Sequence, residues 1–277
     1  MSVVNRALFV IERNLMRELT QGEIAKTCDV SRFHLAHAFG DATGRSVMEY
    51  VRGRRLTEAA YALASGASDI LGVALDTGYQ SHEAFSRAFK GQFGKTPEEV
   101  RKSESIAGLA LVDAIRHLEM KAMKLPEPRF EDLGEMHFVG LPARRESGDV
   151  HEIPAQWQRF MSGPCQQIEH RRPGIPVGVN MRSEDGGLIY VCATEVSRFG
   201  KLPKGLMEIT IAPARYVVFA HDGHVTEMRE TYSAIWNGWF PKSGYRPAET
   251  PGFERHNETF DPRTGNGGVT IWIPVTK

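Results

Sequence analysis

Two stretches of this chain, beginning at positions 31 and 81, repeat the same pattern of residue types. Ser31–Phe39 and Ser81–Phe89 each begin with serine, carry Ala-Phe at the same offset and are followed by a glycine. A serine ahead of an amphipathic run can accept a hydrogen bond from an early helical amide. The repeat therefore predicts two equivalent helices, each with an apolar face and an outward face.

The outward face of the second helix carries the clearest chemistry. A guanidinium in a DNA groove can donate two hydrogen bonds to guanine O6 and N7, and a carboxylate can accept one from cytosine N4, which suits Arg87 and Glu83. The alternative is that these outward residues are only solvated. The residues predicted to contact bases are Phe33, Ala36, His37, His82, Glu83, Ser86 and Arg87.

Each of these helices follows a shorter helix and a tight turn. Thr20–Glu23 is a capping box for a helix over Ile24–Cys28, and Asp29 suits a left-handed turn position. In the second copy, Ile70–Thr77 is the short helix and Gly78 occupies the turn. A short helix, a turn and a capped second helix form the helix-turn-helix pattern, whose second helix enters the major groove.

A long helix is predicted between the two motifs, over Ser46–Ser65, and another before them, over Val3–Leu19. Twenty residues of helix span about 30 Å, close to the roughly 34 Å of one DNA turn, so the two motifs can reach successive major grooves. Residues 3–102 resemble the double helix-turn-helix domain of the AraC/XylS family of bacterial transcription regulators. The resemblance implies binding to double-stranded DNA, contact with RNA polymerase, and action as a monomer or weak dimer. It rests on Ile70, Val73-Ala74, Gly78-Tyr79, Phe85–Phe89, Phe93-Gly94 and Thr96-Pro97.

The second half of the chain has a different pattern of predicted secondary structure. Residues 103–125 are predicted to be a linker with some helix, because Leu109–Leu125 has weak helical periodicity and proline follows. Beyond it, strand, helix and strand pair occur twice, which predicts a pseudo-duplicated α+β domain. Strands are predicted near 130–145, 176–181, 188–196, 206–220, 253–260 and 268–275, with helices at Glu152–Met161 and His224–Phe240.

Residues 129–275 resemble the GyrI-like (gyrase-inhibitor-like) small-molecule-binding domain. The resemblance implies multidrug-type sensing in an aromatic-lined pocket between two pseudo-repeats, with an acid that attracts cationic or polar ligands. Glu254 matches that acid, although His256 stands where the family usually has tyrosine. The matching segments are Pro142–Arg145, Ile153–Trp157, Pro176–Val179, Ile211–Phe219, Trp239–Tyr245 and Gly252–Arg255.

Four further residues are assigned to this pocket. An acid on an apolar strand face, as Glu195 is, needs a partner or a raised pKa. Aromatic rings beside a carboxylate suit an organic cation, which assigns Trp157, Tyr190 and Trp239 to the pocket wall. The alternative is that the tryptophans are packing residues and that Glu195 pairs with an arginine such as Arg255.

Several other classes of protein lack support in the sequence. No run of eighteen apolar residues and no basic-then-apolar N-terminal segment occurs, so the chain is expected in the cytoplasm. The three cysteines form no CxxC pair, and neither GxGxxG nor GxxxxGK[ST] is present. His221 and His224 lack a third nearby ligand, so neither a cofactor nor a metal is predicted.

The sequence thus predicts a multidomain regulator that is not an enzyme. An all-α double helix-turn-helix domain occupies 1–102, a linker 103–125, and an α+β GyrI-like effector-binding domain with duplicated strand-helix-strand-strand units 126–277. Its predicted function is transcription regulation in response to a small organic effector, cationic or amphiphilic. The alternatives are that the second domain hydrolyses small strained molecules or docks onto another protein. Operator, effector identity and the sign of regulation stay open.

Overall fold

The computed structural model describes residues 2–118, 123–145, 152–182, 188–261 and 264–277. Most of residues 1–119 form one compact unit, and Met120–Lys277 lie in a second. Among the described residues, the first unit is helical and the second is built on an antiparallel sheet with helices. No helix in the described ranges is long and apolar enough to cross a membrane.

Several helices of the first unit begin at side-chain caps, among them the predicted caps Thr20 and Ser81. Thr20 and Ser46 form capping boxes, and the turn residues Asp29 and Gly78 have φ of 52° and 85°. The Asp69 carboxylate accepts hydrogen bonds from two amides at the start of its helix. The helices are α1 Val3–Arg13, α2 Gln21–Thr27, α3 Arg32–Thr43, α4 Val47–Ala64, α5 Ile70–Asp76, α6 His82–Phe93 and α7 Pro97–Ser103.

Helix α1 ends six residues before the predicted Leu19. The side-chain amide of Asn14 donates to the carbonyl of Val10 at 2.7 Å, and its backbone amide donates to Ile11. A side chain that bonds the preceding turn competes with helix continuation. Leu15 and Leu19 are nevertheless buried, so the apolar pattern reports burial correctly where it misplaces the helix end.

The predicted linker also differs from expectation. Residues 105–118 contain no helix in the described part of the segment. Val112 is buried and Ile115 and Leu118 are half-buried, while the residues between them are exposed. A three-residue spacing fits a helix face, but it equally fits a non-helical segment that turns one residue in three towards a surface. The prediction of helix is therefore wrong for residues 105–118.

The second unit contains nine strands within the described residues. Two predicted strands are each divided in two, at Gly134-Glu135 and at Ala212-Pro213. The strands are β1 Arg129–Leu133, β2 Met136–Arg145, β3 Val177–Arg182, β4 Leu188–Val196, β5 Met207–Ile211, β6 Ala214–His221, β7 Arg246–Pro247, β8 Gly252–His256 and β9 Val269–Thr276.

The helices of this unit match the two predicted regions with one departure. Helix α8, Ile153–Met161, agrees with its prediction. The helix predicted over His224–Phe240 is a 3₁₀ turn at Val225–Glu227, helix α9 at Met228–Ala234, a π-helical turn at Ile235–Trp239 and helix α10 at Phe240–Ser243. A π-helical turn inserts an extra residue into the turn and often marks functional helices.

The strands form an antiparallel sheet in the order β1-β6-β9-β8-β3-β4-β2-β5, with β7 paired to β9. The sheet is strongly curved. Phe138 on β2 and Phe253 on β8 lie three strands apart, which is about 14 Å in a flat sheet, yet their ring centroids are 6.3 Å apart. Both rings belong to the core cluster of one sheet face. The opposite face packs against helix α8 through Phe160 and Cys192.

Candidate functional site

The carboxylate of Glu254 lies on the α8-packed face of the sheet and is nearly fully buried. It accepts hydrogen bonds from the Tyr232 hydroxyl at 2.6 Å, the Tyr190 hydroxyl at 3.1 Å and the Asn180 side-chain amide at 3.3 Å. The Trp157 indole N–H donates in turn to the Tyr190 oxygen at 3.3 Å. These five residues are referred to below as the Glu254 cluster.

A glycine makes room for this arrangement. Gly178 on β3 pairs with Glu254 on β8. A methyl group on Gly178 would overlap the Tyr190 hydroxyl and stand 3.1 Å from the Glu254 carboxylate. Gly178 therefore provides the space in which a tyrosine from β4 reaches across β3 to an acid on β8.

The helices supply the other two aromatic members. Gln156 is fully buried and its side-chain amide donates to the carbonyls of Leu141 and Tyr190, which fixes α8 to strands β2 and β4. That attachment holds the next residue, Trp157, beside Tyr190. Tyr232 comes from α9, so the cluster joins three strands and two helices.

Burial determines the electrostatics of the cluster. Desolvation raises the pKa of Glu254, and the hydrogen bonds from Tyr232, Asn180 and Tyr190 oppose that rise. Desolvation also raises the pKa values of both tyrosines, with the Glu254 charge as the second cause. All three donors to the carboxylate are therefore neutral, and the negative charge of ionised Glu254 is solvated by hydrogen bonds but not neutralised by them.

The second predicted acid lies elsewhere. Glu195 is on the opposite face of the sheet, where its carboxylate is 3.4 Å from Arg172 and 3.7 Å from Arg255. The alternative reading, in which Glu195 pairs with an arginine, agrees with these distances. The structure does not bring Glu195 to the Glu254 cluster.

Trp239 is also separate from the cluster. Its ring packs edge-on against Phe219 at 5.1 Å and stacks with Tyr245 at 6.2 Å, and it also contacts Phe130 and Phe240. None of these rings belongs to the Glu254 cluster. Trp239 thus has the surroundings of a packing residue, whereas Tyr190 donates to the acid and Trp157 donates to Tyr190.

Three members of the site escaped prediction: Tyr232, Asn180 and Gly178. Tyr232 was visible as one residue of an amphipathic helix, where core packing explains an aromatic side chain equally well. Asn180 lies at the paired position opposite Tyr190 on the neighbouring strand, and only strand register reveals that proximity. The register is a long-range property that periodicity does not contain.

In the helical unit, helix α3 places Phe33, Ala36 and His37 on a half-buried face. The Phe33 and His37 rings are in contact, with centroids 4.5 Å apart. The predicted core residues of the same helix, Leu35 and Phe39, are fully buried. The predicted contact residues of α3 therefore lie together, away from the core.

Helix α6 exposes Arg87 and Glu83, whereas Phe85 and Phe89 are fully buried. The other members of its predicted contact set are engaged or enclosed. His82 lies 3.3 Å from the Glu98 carboxylate. The Ser86 hydroxyl is buried and has no hydrogen-bond partner in the described part of the chain.

Two arginines that precede α6 in sequence have structural roles. Arg54 is buried and contacts the Glu12 carboxylate at 3.0 Å and Glu58 at 2.9 Å. The Arg55 guanidinium donates to the backbone carbonyls of Leu15 and Arg17. Their positive charge is thus used within the helical unit, which leaves the outward arginine of α6 as the clearest base-reading candidate.

Comparison with known proteins agrees with this architecture. Residues 126–276 match the family described as the GyrI-like small molecule binding domain, and residues 24–103 match a helix-turn-helix domain. The transcriptional regulator Rob of Salmonella typhimurium is 23% identical over 97% of this chain and 95% of its own. The regulatory protein SoxS of Escherichia coli is 34% identical over 33% of this chain and 85% of its own.

The chain is a member of the AraC/XylS regulators that carry a GyrI-like domain. This AraC/XylS regulator binds DNA through its helix-turn-helix region and senses a small-molecule effector through the sheet unit. Among solved structures, that of SAV2435 bound to tetraphenylphosphonium is 22% identical, with a TM-score of 0.45 over 55% of this chain and 94% of that one. Rob and SoxS are named as regulators, not as enzymes.

Proposed function

We propose that the Glu254 cluster is the effector site and that the effector is an organic cation. The observation that carries this proposal is a buried carboxylate whose hydrogen-bond donors are all neutral. When ionised, such a group has no positively charged donor to neutralise it, and the nearby rings of Trp157, Tyr190 and Tyr232 provide the aromatic surface that a lipophilic cation prefers. Glu195 and Trp239, which lie outside the cluster, are assigned to stability.

On the DNA side, we propose that Arg87 makes the principal base contact. It is the exposed arginine on the outward face of α6, and its fork can donate to guanine O6 and N7. Glu83 stands one turn earlier, and Phe33, Ala36 and His37 are assigned to the first groove. His82 and Ser86 are less available for base contacts, because His82 lies beside Glu98 and the Ser86 hydroxyl is buried.

We further propose that the sheet unit is a pseudo-twofold duplication. The elements β1, β2, α8, β3 and β4 correspond in this scheme to β5, β6, α9, β8 and β9. With this correspondence, the order of strands in the sheet reads the same from either edge. The pairing of β1 with β6 then corresponds to the pairing of β5 with β2, and β3 pairs with its own counterpart β8. The Glu254 cluster then draws residues from both halves.

Domain limits of 1–102 and 126–277 are proposed with this scheme, although the structure places residues 105–118 on the helical unit. We also propose that the regulator acts as a monomer or weak dimer and contacts RNA polymerase. Two helix-turn-helix motifs in one chain are enough to reach two successive grooves.

The effector proposal is tested by thermal unfolding of the full chain with two ions of similar shape and opposite charge. Tetraphenylphosphonium, present at a hundred times its dissociation constant, should stabilise the chain by about 2.7 kcal/mol, and tetraphenylborate should not. Glu254→Gln should abolish the shift, whereas Glu195→Gln, the matched acid outside the cluster, should retain it. Equal stabilisation by both ions, or an undiminished shift in Glu254→Gln, would show that Glu254 does not select the ligand.

A further inference from the structure

Side chains of the helical unit form hydrogen bonds with the backbone of a short segment that follows α7. The amide of Val112 donates to the Thr57 hydroxyl at 2.9 Å, and its carbonyl accepts from the Arg54 guanidinium at 3.2 Å. Three residues later, the Ile115 amide donates to the Tyr50 hydroxyl at 2.9 Å. Residues 112–118 are called the strap below.

The end of the strap is held in the same way. The side chain of Asn5 on α1 accepts from the Leu118 amide at 2.9 Å and donates to the Leu118 carbonyl at 3.1 Å. Backbone groups at positions 112, 115 and 118 are therefore bound by α4 and α1 at a regular three-residue spacing. Hydrogen bonds to a peptide backbone can be broken and remade without any change in the folded helices that supply them.

A glycine in the middle of α4 is explained by the strap. Glycine inside a helix costs roughly 0.5–1 kcal/mol relative to alanine, so an interior glycine needs a reason. A methyl group on Gly53 would stand 2.7 Å from a methyl group of Val112. Gly53 thus forms the slot into which the first residue of the strap packs.

Two of the side chains that hold the strap also belong to the buried ion-pair network around Glu12. The Tyr50 hydroxyl that accepts from Ile115 also donates to the Glu12 carboxylate at 2.7 Å. Glu12 in turn pairs with Arg54, the same arginine that holds Val112. Undocking the strap therefore removes hydrogen-bond partners from polar groups of α1 and α4, the helices that support the DNA-reading elements.

In the sheet unit, Met123 contacts the helix that carries Tyr232 of the Glu254 cluster. Met123 lies five residues beyond Leu118 in the sequence, and its sulfur accepts a hydrogen bond from the Thr231 hydroxyl at 3.7 Å. Thr231 adjoins Tyr232, the closest donor to Glu254. A shift of α9 on effector binding would therefore act on the residue at which the chain enters the sheet unit.

We propose that the strap is a releasable element through which the sheet unit sets the DNA affinity of the helical unit. The docked strap corresponds to the state with high DNA affinity, and release lowers that affinity. The involvement of an effector rests on the function proposed above, but the effect of the strap on DNA binding does not. A ligand can shift such an equilibrium only by its different affinity for the two states.

The decisive variant is Gly53→Ala in the full chain, because it obstructs the Val112 slot while it favours the α4 helix. Hydrogen exchange should accelerate at the amides of Val112, Ile115 and Leu118, with α4 still protected. The dissociation constant for a duplex selected by the unaltered chain from a random pool should rise about fivefold or more. Gly53→Ala combined with Val112→Gly should restore both properties.

Two further variants make the outcome independent of any folding defect. Thr57→Val adds no bulk and removes only the acceptor for the Val112 amide, so it should release the strap in the same direction. Gly22→Ala, where the nearest atom to an added methyl is at 3.7 Å, is the matched control and should change neither property. A released strap with a dissociation constant within twofold of the unaltered chain would overturn the proposal, as would unchanged exchange in both Gly53→Ala and Thr57→Val.

The effector arm is read separately. If tetraphenylphosphonium binds, as thermal unfolding reports, it should alter exchange at the three strap amides of the unaltered chain. Binding without such a change would refute the strap as the relay. If the cation does not bind, the proposed effector class fails, and the strap is judged on the DNA affinities of the variants alone.

Discussion

The two units of this regulator divide polar side chains between folding and recognition in different ways. In the helical unit the two tasks belong to different residues: Arg54 is buried in an ion-pair network, whereas Arg87 is exposed on the outward face of α6. In the sheet unit the same residues carry both tasks, because Glu254, Tyr190 and Tyr232 are interior groups and also the proposed site.

This difference has a consequence for mutagenesis. Substitutions in the helical unit should affect either stability or DNA binding, whereas substitutions in the Glu254 cluster should affect stability and ligand binding together. The outward residues of a surface helix can be substituted without repacking the interior. Substitution of a buried carboxylate, in contrast, also changes the packing around it.

The largest expected effect is on the stability of the helical unit. Arg54→Met should lower the free energy of unfolding by about 3–5 kcal/mol, because it leaves Glu12 without its buried partner. Urea denaturation followed by helical circular dichroism measures the loss. The same substitution at the outward position, Arg87→Met, is the control and should stay within about 0.5 kcal/mol of the unaltered chain. Similar losses for both variants would break the proposed separation of tasks.

The next effect concerns DNA discrimination. Arg87→Ala should reduce the preference for the cognate guanine by about 1–3 kcal/mol, because two hydrogen bonds to one base edge are lost. Competition binding between the selected duplex and one with that base pair replaced measures the preference. Lys90→Ala, which removes an exposed charge from the same helix, should weaken both duplexes equally. Uniform weakening by Arg87→Ala would make it a phosphate contact instead.

In the sheet unit, Gly178→Ala should act on two properties at once. The added methyl overlaps the Tyr190 hydroxyl, so stability should fall by about 1–3 kcal/mol and tetraphenylphosphonium affinity should fall with it. Gly134→Ala, where an added methyl meets nothing within 4 Å, is the control for both measurements. A loss of stability with unchanged affinity would place ligand binding outside the cluster.

The smallest expected effect is a pH dependence. Burial raises the pKa of Glu254 in the folded chain above its ordinary value of 4.5, so the folded state binds the proton more tightly than the unfolded state. The resulting stabilisation is complete below pH 4.5 and is lost as pH rises through the folded pKa, with a slope of at most about 1.4 kcal/mol per pH unit. Denaturation of Glu254→Gln should lack this component, and a slope identical to that of the unaltered chain would contradict it.

Sequence patterns predicted the helical unit in detail because its elements are local. The caps at Thr20, Ser31 and Ser81 and the turn residues Asp29 and Gly78 involve neighbours within a few positions, and all were confirmed. Two predictions failed in this unit: the end of α1, where the Asn14 side chain bonds the preceding turn, and the helix predicted within residues 105–118.

The sheet unit was predictable as a class but less so as a site. Its two interrupted strands were read as single strands, because the breaks at Gly134-Glu135 and Ala212-Pro213 leave the surrounding apolar alternation intact. Trp157, Tyr190 and Glu254 were placed together by resemblance, but Asn180 and Tyr232 required the register between β3 and β4 and the packing of α9. Long-range pairing decides those neighbours, and it leaves no periodic trace in the sequence.

The strand order also bears on how the chain acquires its structure during synthesis. Strand β9 follows every other strand in the chain, yet it lies between β6 and β8 in the interior of the sheet. The β1-β6 pair can therefore be joined to the rest only after β9 has left the ribosome. The helical unit, with its local contacts, can fold long before then. For that interval the nascent regulator carries a folded DNA-binding unit beside unjoined strand edges, so its capacity to bind DNA should arise before its capacity to respond to an effector.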